Sequence, residues 1–456
     1  MERVPSAAVP RPRVLVLADS ANPEWSSASL VGWSLTRALR AEADVHLATH
    51  VRNRPALERA GWVEGQQFTS IDPGAVEDPV TRVGEAIRKV TRLGWTWTTA
   101  FSIFGYYHFE NLVWRRFGPA LRGGGFDVVH RITPVSPAVP SVIARRLRRH
   151  RVPFVWGPMN GGVPWPKEFR AAMRREGEWL SYLRGGRKLL PGYRRSRRDA
   201  AAILTGSTVV WNEMAPYHAR CVYLPENAID PERFTGIAAA PRQGPLRVAF
   251  VGRLVALKGV DMLLEAAAPL LRSGRMLLDI IGDGPEMPAL KRQMEELHVA
   301  SFVGLPGWMP DQKDVLRRLA GSQVFAFPSI REFGGGVVLE AMALGLLPIV
   351  VNSGGPGELV TDETGFRVPL GPRAAIVEGF RSILEELAGS SERGRGMGER
   401  ARARVLELFT WEVKARQVRE VYRWVLGQRD RPDFGMPLRE APAASEGAVG
   451  SLAGGQ

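Results

Sequence analysis

Short apolar segments alternate with stretches of helical spacing, and they do so in two separate series. Val14 to Ala18, Val45 to Thr49, Phe126 to His130, Phe154 to Trp156, Ile203 to Thr205 and Val222 to Leu224 read as buried strands, with helical stretches such as Leu30 to Leu39 between most of them. Around Ile237 to Gly244 the composition becomes that of a linker, and the alternation then restarts. Arg247 to Val251, Leu277 to Ile281, Ser301 to Val303, Val324 to Phe327, Pro348 to Val351 and Phe366 to Val368 form the second series. Strands that alternate with helices give a parallel sheet covered on both faces. The expected fold class is therefore α/β, with two doubly wound domains, 1–236 and 245–410, facing each other across a cleft. Trp411 to Leu426 spaces Val413, Val418, Val421, Tyr422 and Val425 as a helix does, and residues 411–426 are expected to cross back onto the first domain. Residues 427–456 are rich in Pro, Ala, Gly and Ser and read as a disordered tail.

Ligands of such sheets bind at the carboxyl ends of the strands, so the residues that follow each strand carry the argument. The stretch SIREFGGGVVLEAMALG, Ser329 to Gly345, places Glu332 in the loop after a buried strand, three glycines at Gly334, Gly335 and Gly336, and Glu340 in the helix that follows. Bare amides at a helix start favour negative ligand groups, and the two carboxylates can accept from sugar and ribose hydroxyls. In FVGRLVALKG, Arg253 and Lys258 lie between two glycine-marked ends, where fixed cations can hold a diphosphate. Gly282, Trp308 and Glu358 follow further strands of the same half and are candidates for a base pocket or its lining. In the first half His130 ends a predicted strand and is expected to face the cleft as a catalytic residue. Asn160 and Gly161 of the GPMNGG segment are placed on the acceptor side.

The chain's net charge of +14 calls for an anionic partner: nucleotide, phospholipid and nucleic acid all qualify. Between Arg170 and Arg198 there are ten basic residues against two acidic ones. The Trp- and Tyr-rich stretch from Gly94 to Phe117 reads either as core helices or, with that basic cluster, as an acceptor groove or a surface for an anionic bilayer. The amino terminus has no apolar run of the signal-peptide kind, and Leu93 to Phe109 is too short and too polar for a membrane span. The single Cys221 agrees with a reducing cytoplasm. No Asp-x-Asp pair, His-Glu-x-x-His, Gly-x-Ser-x-Gly or dinucleotide-type glycine fingerprint is present, so a metal-dependent transferase, a zinc hydrolase and an NAD enzyme lose support.

Arg253, Lys258, Glu332 and Glu340, in that order, resemble the charged set of a retaining glycosyltransferase of the GT-B fold, in glycosyltransferase family 4. VGRLVALKG, IIGDGPE, NSGGPGELV and TGFRVP are similar to the family's motifs, PENAIDPERF to its interdomain segment and FTWEVKARQVREVY to its terminal crossing helix. The resemblance implies two Rossmann-like domains and a nucleotide-diphosphate sugar held mainly by the second. Arg253 and Lys258 would grip the diphosphate, Glu332 the sugar hydroxyls, Glu340 the ribose, and the amides near Gly335 the sugar and phosphate, with His130 lining the reacting face. It implies no bound metal and no cofactor beyond the sugar nucleotide, transfer to a glycan, lipid-linked or small-molecule acceptor with anomeric configuration kept, and no nucleic-acid partner. The single cysteine and the amino terminus give the expectation of a cytoplasmic protein, and the basic, aromatic first domain that of peripheral attachment to the inner face of the plasma membrane. Departures are the loop after the first strand, which has serines and only Gly32, Ala228 where glycine is usual, and Gly334 where an aromatic is common. A phosphorylase-like or epimerase-like relative, and a non-catalytic binding protein at a membrane surface, are the alternatives.

Overall fold

A computed structural model describes residues 11–74, 95–176, 188–237, 244–389, 394 and 396–438. Two parallel sheets organise them. The first runs in the order β3-β2-β1-β4-β5-β6-β7, with β1 Arg13–Ala18, β2 Asp44–His50, β3 Phe68–Ile71, β4 Val128–Thr133, β5 Phe154–Met159, β6 Ala202–Thr205 and β7 Cys221–Tyr223. The second runs β10-β9-β8-β11-β12-β13, with β8 Leu246–Val251, β9 Met276–Ile281, β10 Val303–Gly307, β11 Val324–Phe327, β12 Leu347–Asn352 and β13 Phe366–Pro369. The period of two along a strand is visible in β1. Val14, Val16 and Ala18 pack in one apolar cluster with Leu35 and Leu39, while Leu15 and Leu17 pack in another with Phe109 and Ile143. Both faces are thus covered, which is why these strands read as nearly continuous apolar runs.

Several sequence expectations shift by a few residues. The strand expected at Ser301 to Val303 begins at Val303 and pairs with β9 as far as Gly307. β4 extends three residues past His130, to Thr133. The tail is a correction: residues 427–438 pack against the body. Leu438 is buried and its carbonyl accepts from Arg404 at 3.0 Å, Arg431 donates to the His218 carbonyl at 2.9 Å, and Arg429 pairs with Glu420. Proline and charge hid anchors that lie elsewhere in the chain. Residues 439–456 lie outside the described residues.

The helix Trp411–Val425 returns to the first domain, where Trp411, Ala415, Val418, Val421 and Tyr422 join the same apolar cluster as Val14 and Leu35. Thr410 caps it, accepting from the Val413 amide at 3.2 Å. The chain therefore passes between the domains twice, and the two passages are bonded to each other. Ile229 N donates to the Phe409 carbonyl at 2.8 Å and Trp411 N to the Ile229 carbonyl at 3.2 Å. A further contact spans the domains at Glu358, which accepts from Thr208 N at 3.0 Å, Thr208 Oγ1 at 2.6 Å and Tyr223 Oη at 2.7 Å.

In each sheet the strand order reverses beside the first strand, between β1 and β4 and between β8 and β11. Crevices open at the carboxyl ends of such strands. The loops after β8 and β11 carry Gly252 to Gly259 and Ser329 to Gly336.

Candidate functional site

A cleft of about 1360 Å³ lies between the domains, lined from the second by Arg253, Lys258, Glu332, Gly334, Gly335, Gly336 and Glu340, and from the first by Asn160 and Gly161. Local chain geometry explains how these meet. Gly259 adopts φ +65°, caps the helix Val260–Arg272 and rests against the Pro328 carbonyl, where a Cβ would lie at 2.5 Å. That close approach brings the loop after β8 onto the end of β11, and Lys258 pairs with Glu332. Gly335, at φ +65°, caps the helix Gly336–Ala343 and leaves amides facing the cleft. Gly334 has no room for a side chain, because Glu226 and Asn227 of the interdomain segment press on its α-carbon. That contact accounts for glycine where an aromatic was expected.

Of the four cleft charges singled out from sequence, three are paired. Lys258 meets Glu332, and its ammonium also lies 4.8 Å from the centre of the Phe327 ring. Glu340 meets Arg233 at 3.2 Å, and Arg233 donates to Gln312 at 2.9 Å. Burial pushes the Glu340 carboxyl up, while Arg233 draws it down. Arg253 is exposed and its guanidinium makes no bond among the described residues. It is the cation most ready to accept an anion.

Other expected residues fall elsewhere. His130 is a correction: it is fully buried, and both ring nitrogens are taken, Nδ1 by the Tyr422 hydroxyl and Nε2 by the Gly157 carbonyl, each at 2.6 Å. Burial lowers its pKa to about 4, opposed by the Gly157 bond. With β4 continuing to Thr133, position 130 lies inside the sheet and fastens the crossing helix, away from the cleft. Trp308 is 74 % exposed and lies outside the cleft lining. Gly282 also lies outside it. Its place is explained by packing, since a Cβ there would meet the Gly252 carbonyl. Glu358 forms the interdomain contact described above instead of a pocket wall, and burial raises its carboxyl pKa. The aromatic stretch divides. In the helix Trp95–Arg122, Tyr106, Phe109 and Phe117 are core, whereas Phe104 is 61 % exposed and, with Ile103, lines the cleft.

Many lining residues were not singled out from sequence, and three of them are charged side chains close to the candidate set. Arg331 is buried, donates to the Val163 carbonyl across the cleft at 2.8 Å and lies 5.1 Å from the Trp165 ring. Arg233 and Glu226 belong to the interdomain segment; their signal was a charged pair inside PENAIDPERF, between the two series of strands.

Residues 238–404 match the family model described as glycosyl transferases group 1. The match covers nearly the whole second domain and none of the first. Among similar sequences, glycogen synthase of Mycobacterium tuberculosis is 32 % identical over 219 residues, 47 % of this chain and 51 % of the relative. D-inositol 3-phosphate glycosyltransferase of a Nocardioides species is 31 % identical over 191 residues, 38 % and 40 % of the two chains. The chain thus spans about half the length of such curated relatives. Two solved structures align over nearly the whole chain. HepE of Anabaena, crystallised with UDP, has a TM-score of 0.59 at 16 % identity, covering 90 % of this chain and 99 % of that one. Sucrose-phosphate synthase of Thermosynechococcus elongatus has a TM-score of 0.61 at 17 % identity, covering 92 % and 100 %. The fold of the chain is GT-B, two Rossmann-like domains facing across a cleft. Among its described residues no helix is long and apolar enough to cross a membrane.

Proposed function

We propose that the protein transfers a sugar from a nucleotide-diphosphate sugar to a hydroxyl acceptor, with retention of anomeric configuration. The observation that carries this reading is the convergence of Arg253, Lys258, Glu332 and Glu340 on one cleft beside the bare amides at Gly335 and Gly336. Arg253 takes the diphosphate first, being unpaired, and the incoming phosphates draw Lys258 away from Glu332. Glu332 is then released to accept from the sugar's hydroxyls, and Glu340 exchanges Arg233 for the ribose diol. In the transfer the bond from the anomeric carbon to the phosphate oxygen breaks, the acceptor oxygen bonds to the same face, and the acceptor's proton passes to the departing phosphate. Arg253 and Lys258 offset the charge that appears there, which assigns leaving-group stabilisation to side chains and asks for no resident metal or cofactor.

The acceptor is read from the first-domain wall, where Ile103, Phe104, Val135 and Leu190 line the cleft. An acceptor with an apolar portion, a lipid-linked sugar or a glycolipid, suits that wall, and the basic first half suits attachment to an anionic membrane surface. A curated relative in Corynebacterium glutamicum, 28 % identical over 263 residues, is named as a GDP-mannose-dependent mannosyltransferase acting on a monoacylated phosphatidylinositol monomannoside.

The test is a panel of UDP-, GDP-, ADP- and dTDP-sugars offered to the full chain with and without a chelator. Binding is read by thermal shift and transfer by radiolabel in an organic-extractable or glycan product. Stabilisation by one nucleotide's sugars, with labelled product of retained configuration, supports the reading. Free sugar or sugar phosphate alone favours the phosphorylase-like alternative. Absence of any sugar-nucleotide binding overturns it.

A further inference from the structure

The reaction above runs on second-domain charges and leaves one buried carboxylate on the cleft without a task. Glu226 follows β7, where the chain leaves the first domain, and lines the cleft at 6 % exposure. Asn160 Nδ2 donates to both of its oxygens at 2.8 Å, and Asn227 Nδ2 donates to Oε1 at 3.2 Å. Asn160 is fixed in turn, its Oδ1 accepting from Gly161 N at 2.7 Å and from Ser207 Oγ at 3.1 Å. Oε2 lies over Gly206 and Oε1 over Gly334, two positions where a side chain would displace it. The carboxylate is therefore held rigidly where the 160–162 loop, the interdomain segment and the glycine turn converge.

We infer that Glu226 is a second carboxylate for the transferred sugar, accepting a hydrogen bond from one of its hydroxyls. This rests on the donor reading of the preceding section. A carboxylate has about four acceptor sites, and the two asparagines do not exhaust them. Its neighbour in the cleft is the turn at Gly334 that Glu332 also borders, so a sugar seated on that turn meets a carboxylate from each side of the chain's domain boundary. A diphosphate would be repelled here, while an uncharged polyol gains a charge-assisted bond. The groups that face Glu226 fit a carboxylate poised near neutrality. Burial pushes it up to about 7, opposed by the Asn160 bonds and by the Lys414 ammonium of the crossing helix, with Glu358 adding to the rise. Lys414, itself fully buried, donates to the Pro225 carbonyl and is lowered by burial to about 7.

The experiment is calorimetric titration of the full chain with UDP-glucose and UDP, and with GDP-mannose and GDP, for the parent, Glu226→Gln and Glu226→Asp. The parent is expected to bind the sugar nucleotide more tightly than the nucleotide. Glu226→Gln should lower sugar-nucleotide affinity about tenfold while leaving nucleotide affinity within about twofold, and Glu226→Asp should lie between. The parent's affinity for the sugar nucleotide, whose diphosphate does not titrate near neutrality, should fall as pH drops from about 8 to about 6. The Gln variant's should not. A contact that only supports the fold would lower both affinities equally, and that result overturns the inference. So does an unchanged affinity in Glu226→Gln, or intact donor affinity with slowed transfer, which would place the residue on the acceptor. A parent that binds no sugar nucleotide in the panel above refutes the donor reading itself, and the inference falls with it.

Discussion

The two walls of the cleft are built on different terms. The second-domain wall is charged, with Lys258 on Glu332 from the loops that flank one reversal of strand order and Glu340 of the following helix on Arg233 of the interdomain segment. The first-domain wall presents Trp25, Ser26 and Ser27 after β1, and Ile103, Phe104, Val135 and Leu190 farther along. Glu24 and Arg37 also line it, each held in an ion pair, with Arg59 and Asp230, and two further arginines are turned inward. Arg131 is fully buried and lies 4.3 Å from the Tyr106 ring, and Arg197, also buried, lies 3.6 Å from the Tyr193 ring. On the proposed function, the contrast would separate two tasks: electrostatic work on a phosphorylated donor on one side, and shape selection of a less charged partner on the other.

That division breaks most readily at the cations. Arg253→Ala and Lys258→Ala are each expected to lower kcat/KM for sugar transfer about a thousandfold, measured with the best donor of the panel. A loss smaller than tenfold in both would mean that the second-domain wall does not carry the leaving-group charge. Glu340→Ala should weaken nucleotide binding about tenfold in calorimetry, less than a free carboxylate would, because Arg233 must be displaced before the ribose can bind.

The first domain should respond in stability before chemistry. His130→Ala removes two buried hydrogen bonds and is expected to cost about 3 kcal/mol in denaturant unfolding, with the affinity of the folded fraction for sugar nucleotide unchanged. The pH dependence has a definite sign. The folded imidazole titrates near 4 against the usual 6.5, so the unfolded chain binds more protons between those values. The resulting stability is present above about pH 6.5 and is lost as pH falls towards 4. The Ala variant lacks this component, and its melting temperature should change less than the parent's across that interval. Phe104→Ser should raise the acceptor KM a few-fold and leave donor hydrolysis unaltered, and equal effects on both would blur the distinction between the walls. Trp308→Ala should stay within about twofold of the parent in donor binding, since the residue lies outside the cleft lining.

The second-domain charges were legible because each sits in a short motif directly after a strand, so local sequence already places it at a sheet's edge. His130 was misread because Arg131 looks like the end of a strand. A guanidinium after FDVVH suggests solvent, yet Arg131 is enclosed by the rings of Tyr106 and Trp156 while β4 runs on to Thr133. Glu358 follows a glycine turn just as Glu332 does, and only the tertiary approach of Thr208 and Tyr223 diverts it from the cleft. Glu226 stood out only as a charge inside PENAIDPERF, with nothing in type or spacing to place it on the cleft. Its setting depends on Asn160, more than sixty residues earlier, and on Gly334, more than a hundred later, contacts that no local pattern encodes.

Two adjoining strands of backbone, at Ile229 and at Thr410, stitch the lobes along one line, and each is bonded to the other. A protease nick in either would leave the halves tethered through the other, with the contacts of Glu358 to Thr208 and Tyr223 as a second tie. A truncated gene ending before Trp411 would yield a first lobe with Val14, Leu35 and Leu39 stripped of their cover, a sticky surface where the intact chain supplies its own lid.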